Sequence, residues 1–169
     1  MISLSNAITR VSVCLVIITL VACTSNKIDE NQPFDKTKII EEVTSAVWAF
    51  HAADTARNAQ QVIDLLWPES NMMVDGNRIP YSDLVAGSRK FMSSIVLFHT
   101  DWKDLKVVPV SSTAAVASFI FNDSIIHKSG EVTLSHGPNT FVWQKREDEW
   151  RVLFGDADHY ANNSDIFTH

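Results

Sequence analysis

Beyond residue 35 the apolar positions follow two different rhythms. Ile39, Val43, Val47 and Phe50 return every three or four residues, and Ile40 and Trp48 widen the stripe. That period predicts an amphipathic helix, for which Asp35 is a suitable N-cap. Asn58-Ala-Gln-Gln61 has the form of a capping box and predicts a second helix over 59–66, stopped by Pro68. A short strand is predicted at 71–74, closed by an Asp75-Gly76 turn. Ser82 can cap a third helix reaching about residue 96, with Leu84, Ser88, Phe91 and Ile95 on one face.

After residue 100 the rhythm becomes that of strands. The predicted strands are 102–110, 114–127, 131–145 and 150–160, with turns at Ser111-Ser112 and Lys128-Ser129-Gly130 and a polar hairpin tip over 146–149. Gly137-Pro138 interrupts the third of these. Because proline cannot donate to a ladder, a bulge or bend is expected there. Helices first and an antiparallel meander afterwards argue for an α+β domain.

The first 34 residues do not belong to that pattern. Residues 11–20 form an uncharged, apolar run preceded by Arg10. The run is shorter than the roughly 20 residues needed to cross a bilayer, and its length suits the apolar core of a signal peptide. Leu20-Val21-Ala22-Cys23 comes directly after it and resembles the bacterial lipobox. That resemblance implies cleavage before Cys23, lipid on its sulfur, and a lipid-anchored protein of the bacterial cell envelope. Thr24, in place of the aspartate that favours retention at the inner membrane, suggests the outer membrane, facing the periplasm. The expected organisation is a signal peptide over 1–22, lipidated Cys23 and a flexible tether over 23–34, a globular domain over 35–162 and a tail over 163–169. Cys14 leaves with the signal and Cys23 is acylated, so no metal or redox cysteine motif remains.

Composition narrows the function classes. Of 169 residues, 46% are apolar and 20% charged, which suits a folded domain. Fourteen basic against 20 acidic residues argue against a nucleic-acid partner.

Several stretches carry a resemblance over roughly residues 36–160. Ala56-Arg57-Asn58 leads into Val62-Ile63-Asp64-Leu65-Leu66-Trp67. The run 105–117 is like a strand, tight turn and Ala-Val strand. In 141–152 a short acidic hairpin precedes Trp150-Arg151-Val152. Together they resemble the nuclear transport factor 2-like superfamily, in particular its SnoaL-like branch. The resemblance implies a cone-shaped α+β barrel, cystatin-like, with N-terminal helices packed in a strongly curved antiparallel sheet around an apolar cavity. The superfamily includes isomerases, cyclases, dehydratases and binding modules, often dimeric, so the fold does not choose the function.

The chemistry-bearing residues cluster near the end of the last strand. Strict alternation puts Asp156 and Asp158 on the face of Trp150, Val152 and Phe154, and His159 on the face of Arg151, Leu153 and Gly155. A buried aspartate there could act as a general base. If the opposite face lines the cavity, or a bulge changes the parity, His159 enters instead. Tyr81, His99, Asp101, His127 and His136 lie on segments that could also face the cavity. Tyr81, Phe91, His99, Phe119, Trp143 and Phe154 are the candidate pocket residues. No His-x-His or His-Glu-x-x-His pattern predicts a metal, and no cofactor is expected. Three readings are open: an envelope domain binding a small apolar ligand, an acid–base enzyme acting on a small apolar carbonyl compound, or a homodimeric assembly module.

Overall fold

A computed structural model describes residues 33–161. The expected signal peptide, lipidated Cys23, most of the tether and the tail lie outside the described residues.

The first helix, α1 (Lys36–Thr55), starts where the sequence predicts. The Asp35 carboxylate accepts from the Lys38 amide at 3.0 Å, satisfying one of the amides a helix start leaves unpaired. Ile39, Val43, Val47, Phe50 and Ala53 form its buried stripe, and Val43 and Val47 are fully buried. Each such burial contributes about 1.5–3 kcal/mol. Asn58 caps α2 (Ala59–Asp64) through the Gln61 amide at 3.2 Å.

Two helix boundaries differ from expectation. α2 ends at Asp64, before Pro68, because the chain extends immediately into β1 (Leu66–Val74). Pro68 sits in the irregular part of that strand, where pairing with the neighbouring strand skips from Leu66 to Asn71 and the ladder needs no donor. β2 (Asn77–Pro80), unforeseen in the sequence, runs straight into α3 (Tyr81–Ser94) through extended Pro80. Ser82 therefore lies inside α3, and its hydroxyl bonds to Asp83 rather than capping the helix. Asp75 and Gly76 both have positive φ, 51° and 76°, the geometry that an Asp-Gly hairpin turn adopts.

β3 (Ile95–Ser111), β4 (Ala114–His127), β5 (Val132–Arg146), β6 (Glu149–Ala157) and β7 (Tyr160–Ala161) complete the sheet. Its order is β2-β1-β6-β5-β4-β3, with β7 pairing β5. The pairings are antiparallel except β1 with β6, which is parallel. The architecture is α+β, with helices packed against a strongly curved sheet. Ala115, Ala117, Phe119 and Phe121 from β4, Phe141 and Trp143 from β5, and Trp150 and Val152 from β6 pack with the buried stripe of α1.

The irregularities fall at other points than Gly137-Pro138. The β4–β5 ladder runs without a shift from Ala114↔Gln144 to Ile126↔Val132, through Ile120↔Pro138. Pro138 is tolerated because its missing N–H points to the side where β6 has ended and β7 has not begun. The consequential shift is in β6. Trp143 pairs with Val152, but the next residue of β5, Val142, pairs with Phe154, leaving Leu153 as an extra residue. An extra residue reverses the inward and outward sense of the rest of its strand. Trp150 and Val152 are buried before it and Gly155 after it, the last with Phe141 and Met72 side chains filling the place a β-carbon would take.

Candidate active site

Past the end of the α1 stripe the core opens into a cavity of about 280 Å³. An apolar cavity of roughly 150 Å³ accepts benzene, so this one suits a compound of one or two rings. Its walls are mainly apolar and include five aromatic rings: Phe50, Phe91, Phe98, Trp102 and Phe121. Trp102 is fixed by stacking on Phe119 at 4.0 Å, and Phe91 meets Phe98 edge-on at 5.7 Å.

Six polar side chains also line this cavity: Asp54, Ser88, Thr100, Asp123, Asn139 and His159. Asp54 stands one helical turn beyond Phe50, on the buried stripe of α1. Asp123 continues the inward alternation of Phe119 and Phe121 on β4 and pairs across to Thr100 on β3. Thr100 Oγ1, Asp123 Oδ1 and Asn139 Oδ1 are buried without a hydrogen-bond partner. Most buried polar groups have partners, so three such atoms around one cavity are a ready polar contact surface for a ligand.

Electrostatics separate the two carboxyls from ordinary surface aspartates. Burial, and then the charge of Asp123, push the Asp54 pKa up to about 8. The place of Asp54 in the last turn of α1, where helix carbonyls carry partial negative charge, also disfavours an anion. Burial raises Asp123 as well, while the adjacent Thr100 hydroxyl and the charge of His159 pull it down. That hydroxyl lies near the carboxylate without the alignment of a full hydrogen bond. No Lys or Arg lines the cavity to neutralise the pair.

His159 sits at the mouth, with Phe121 5.0 Å from its ring. Asp75 Oδ1 accepts both the His159 backbone amide at 2.7 Å and Nδ1 at 3.1 Å. These bonds, the backbone one foremost, hold the Asp75 carboxyl below the usual range.

The bulge at Leu153 decides which of the sequence candidates reach this place. Ala157 and His159 line the cavity; Asp156 is exposed on the outer face, and Asp158 is half-buried without lining it. Phe154, displaced to the outward sense, does not line it either. Phe91 does. Phe119 and Trp143 are buried in the core behind the cavity wall. Tyr81 lines a separate shallow groove with Ser70 and Arg78. His99 is exposed opposite Ser124, because β3 starts seven residues earlier than the sequence pattern suggests and its inward series runs through Thr100 and Trp102. Asp101 is exposed and paired with Lys103 at 3.1 Å. His127 bonds Thr133 at 3.0 Å, and His136 packs near Tyr160. Among the described residues no three His, Cys, Asp or Glu side chains converge to hold a metal ion.

Asp54 and Asp123, the central pair, are not among the sequence candidates, although both carry a signal. Asp54 continues the helical stripe four residues after Phe50, and Asp123 interrupts an alternating apolar series between Phe121 and Ile125.

No family model matches the chain, and no curated protein is similar to it in sequence. Solved structures are similar in shape. A nuclear transport factor 2-like superfamily protein from Salmonella enterica serovar Typhimurium superposes with a TM-score of 0.66 at 13% identity, over 79% of this chain and 98% of the other. A ketosteroid isomerase-like protein from Erwinia carotovora gives 0.62 at 16% identity, over 72% and 95%. A protein with a cystatin-like fold from Caulobacter vibrioides gives 0.62 at 15%, over 73% and 90%. At these identities the likeness concerns the backbone alone: the chain has the nuclear transport factor 2-like, cystatin-like fold.

Proposed function

We propose that this protein is an acid–base enzyme acting on a small, largely apolar carbonyl compound, displayed on the bacterial cell envelope by lipid on Cys23. The observation that carries the catalytic reading is the pair Asp54 and Asp123, two carboxyls raised in pKa on the walls of one apolar cavity. Two like charges in a poorly solvated site do not both ionise readily. At neutral pH Asp54 keeps its proton and Asp123 supplies the negative charge.

That division gives each a task. Ionised Asp123, made more basic by burial, takes a proton from the carbon beside the carbonyl. Protonated Asp54 donates to the oxygen on which charge develops. Thr100 and Asn139 orient the polar end of the substrate, and the aromatic walls hold its apolar part and exclude water.

The test is deuterium exchange. The purified protein is incubated in D2O with one- and two-ring ketones, and label beside the carbonyl is followed by NMR. Catalysed exchange that Asp123→Asn reduces at least 100-fold supports the reading, since general acid–base groups contribute about 10²–10⁴-fold. Ketones that bind and never exchange would identify a ligand-binding domain instead. The anchor has a separate test, mass spectrometry of the native protein for an acylated N-terminal Cys23.

A further inference from the structure

We propose that Asp75 is the positioning residue for His159, and that the two form a proton relay between solvent and Asp123 at the cavity mouth; the relay half rests on the acid–base reading above. The segment after β6 is held from two sides. Asp158 donates its amide to the Pro138 carbonyl at 3.3 Å, and its own carbonyl oxygen occupies the place a side chain at Gly137 would need, 1.7 Å from an ideal β-carbon. On the other side Asp75 donates its amide to the Ala157 carbonyl at 3.0 Å and receives both His159 N–H groups on one carboxylate oxygen. His159 is thus fixed in backbone and in ring.

The carboxylate also settles which ring nitrogen carries the proton. A carboxylate only accepts, so Nδ1 is the donor, and in the neutral ring Nε2 presents a lone pair. His159 lines the cavity while its side chain is 40% exposed, so one residue meets both the site and water. Its ring packs on Phe121, whose next inward neighbour on β4 is Asp123. After Asp123 has taken a proton from the substrate, the Asp123 O–H passes it to Nε2. The resulting imidazolium, balanced by the Asp75 carboxylate, releases one proton to water. Run in reverse, the relay carries a solvent proton through His159 to Asp123 and back to the substrate carbon, which leaves the substrate whole and Asp123 again a base.

Nitrogen-15 NMR of the imidazole, combined with chemical rescue, tests both halves. Neutral His159 in the wild type is expected as the Nδ1–H tautomer. In Asp75→Gly, which keeps the turn because glycine adopts positive φ freely, the tautomers should mix. Asp75→Asn, also tolerated at positive φ, is the second variant should the glycine chain not fold. His159→Ala is expected to slow ketone exchange 10- to 100-fold and to regain rate with added imidazole. A wild-type Nε2–H tautomer, or one unchanged in both Asp75 variants, would overturn the positioning role. Slow exchange that imidazole cannot restore would overturn the relay. If the wild type exchanges no ketone, the relay falls with the acid–base reading, and the tautomer still judges Asp75 alone.

Discussion

Burial, and then the charge of Asp123 on the same cavity, raise the pKa of Asp54. One residue closes a helix and the other lies deep in a strand, 69 positions apart in the chain, so only the folded sheet makes them neighbours.

The raised Asp54 makes stability depend on pH in an unusual direction. Folded Asp54 holds its proton up to about pH 8, against an ordinary value of 3.8. Between those values the folded state binds more protons than the unfolded one. Its contribution is therefore full below about pH 4, falls as pH rises, and levels off above about pH 8. Asp54→Asn should remove that slope and be the more stable protein at pH 9, by on the order of 2 kcal/mol after discounting for solvent in the cavity. Urea denaturation of both proteins at pH 5 and pH 9 measures it; parallel changes would show that Asp54 ionises normally.

Two glycine substitutions should have opposite signs. Gly137→Ala drives a methyl into the Asp158 carbonyl and should destabilise by about 2–4 kcal/mol, because backbone must move. Gly87→Ala, inside α3 with nothing near its β-carbon, should stabilise by about 0.5–1 kcal/mol. Thermal melts of the two variants provide the comparison.

Filling the cavity should separate folding from function. Ala157 lies on the cavity wall, and Ala157→Phe would place a ring in the space a ligand needs. A melting temperature close to wild type together with loss of ketone binding, read by calorimetry, is the expected result. Undiminished binding would place the site elsewhere.

Glu42 ties α1 to the β5–β6 hairpin by accepting from Trp150 Nε1 at 2.7 Å and Lys145 Nζ at 3.0 Å. The Trp150 bond, then Lys145, hold its carboxyl below the ordinary 4.5. The stabilisation is present above that value and lost as pH falls through the lower folded one. Glu42→Ala should flatten acid denaturation and cost about 1 kcal/mol at pH 7, measured by urea titration.

Local chemistry explains what was legible beforehand. Asp35, Asn58 and Asp75-Gly76 act through bonds within a few residues, so their caps and turn could be read directly from the chain, as could the paired strands after residue 114. Boundaries that depend on neighbours were not legible. The apolar run Ile95-Val96-Leu97-Phe98 suits either the end of a helix or the start of a strand, and pairing with β4 decides for β3. The sense of the last strand turns on Leu153, whose displacement exists only against the β5 ladder. The same reason hid Asp54 and Asp123: each looks like a single polar exception until the opposite wall is in place.

The extra residue at Leu153 also bears on how such a scaffold could change over evolutionary time. Everything that the strand delivers beyond that point is set by a count of one. Absorbing Leu153 into the ladder, so that every later residue slips one place along β5, would turn Ala157 and His159 outward and bring the neighbouring Asp156 and Asp158 toward the interior, while Trp150 and Val152 kept their places in the core. A slip of one residue in pairing, without a new side chain anywhere, would therefore exchange an imidazole at the entrance for carboxylates and hand natural selection a different catalyst on the same frame, whereas loss of Leu153 itself would straighten the strand and leave those faces as they are.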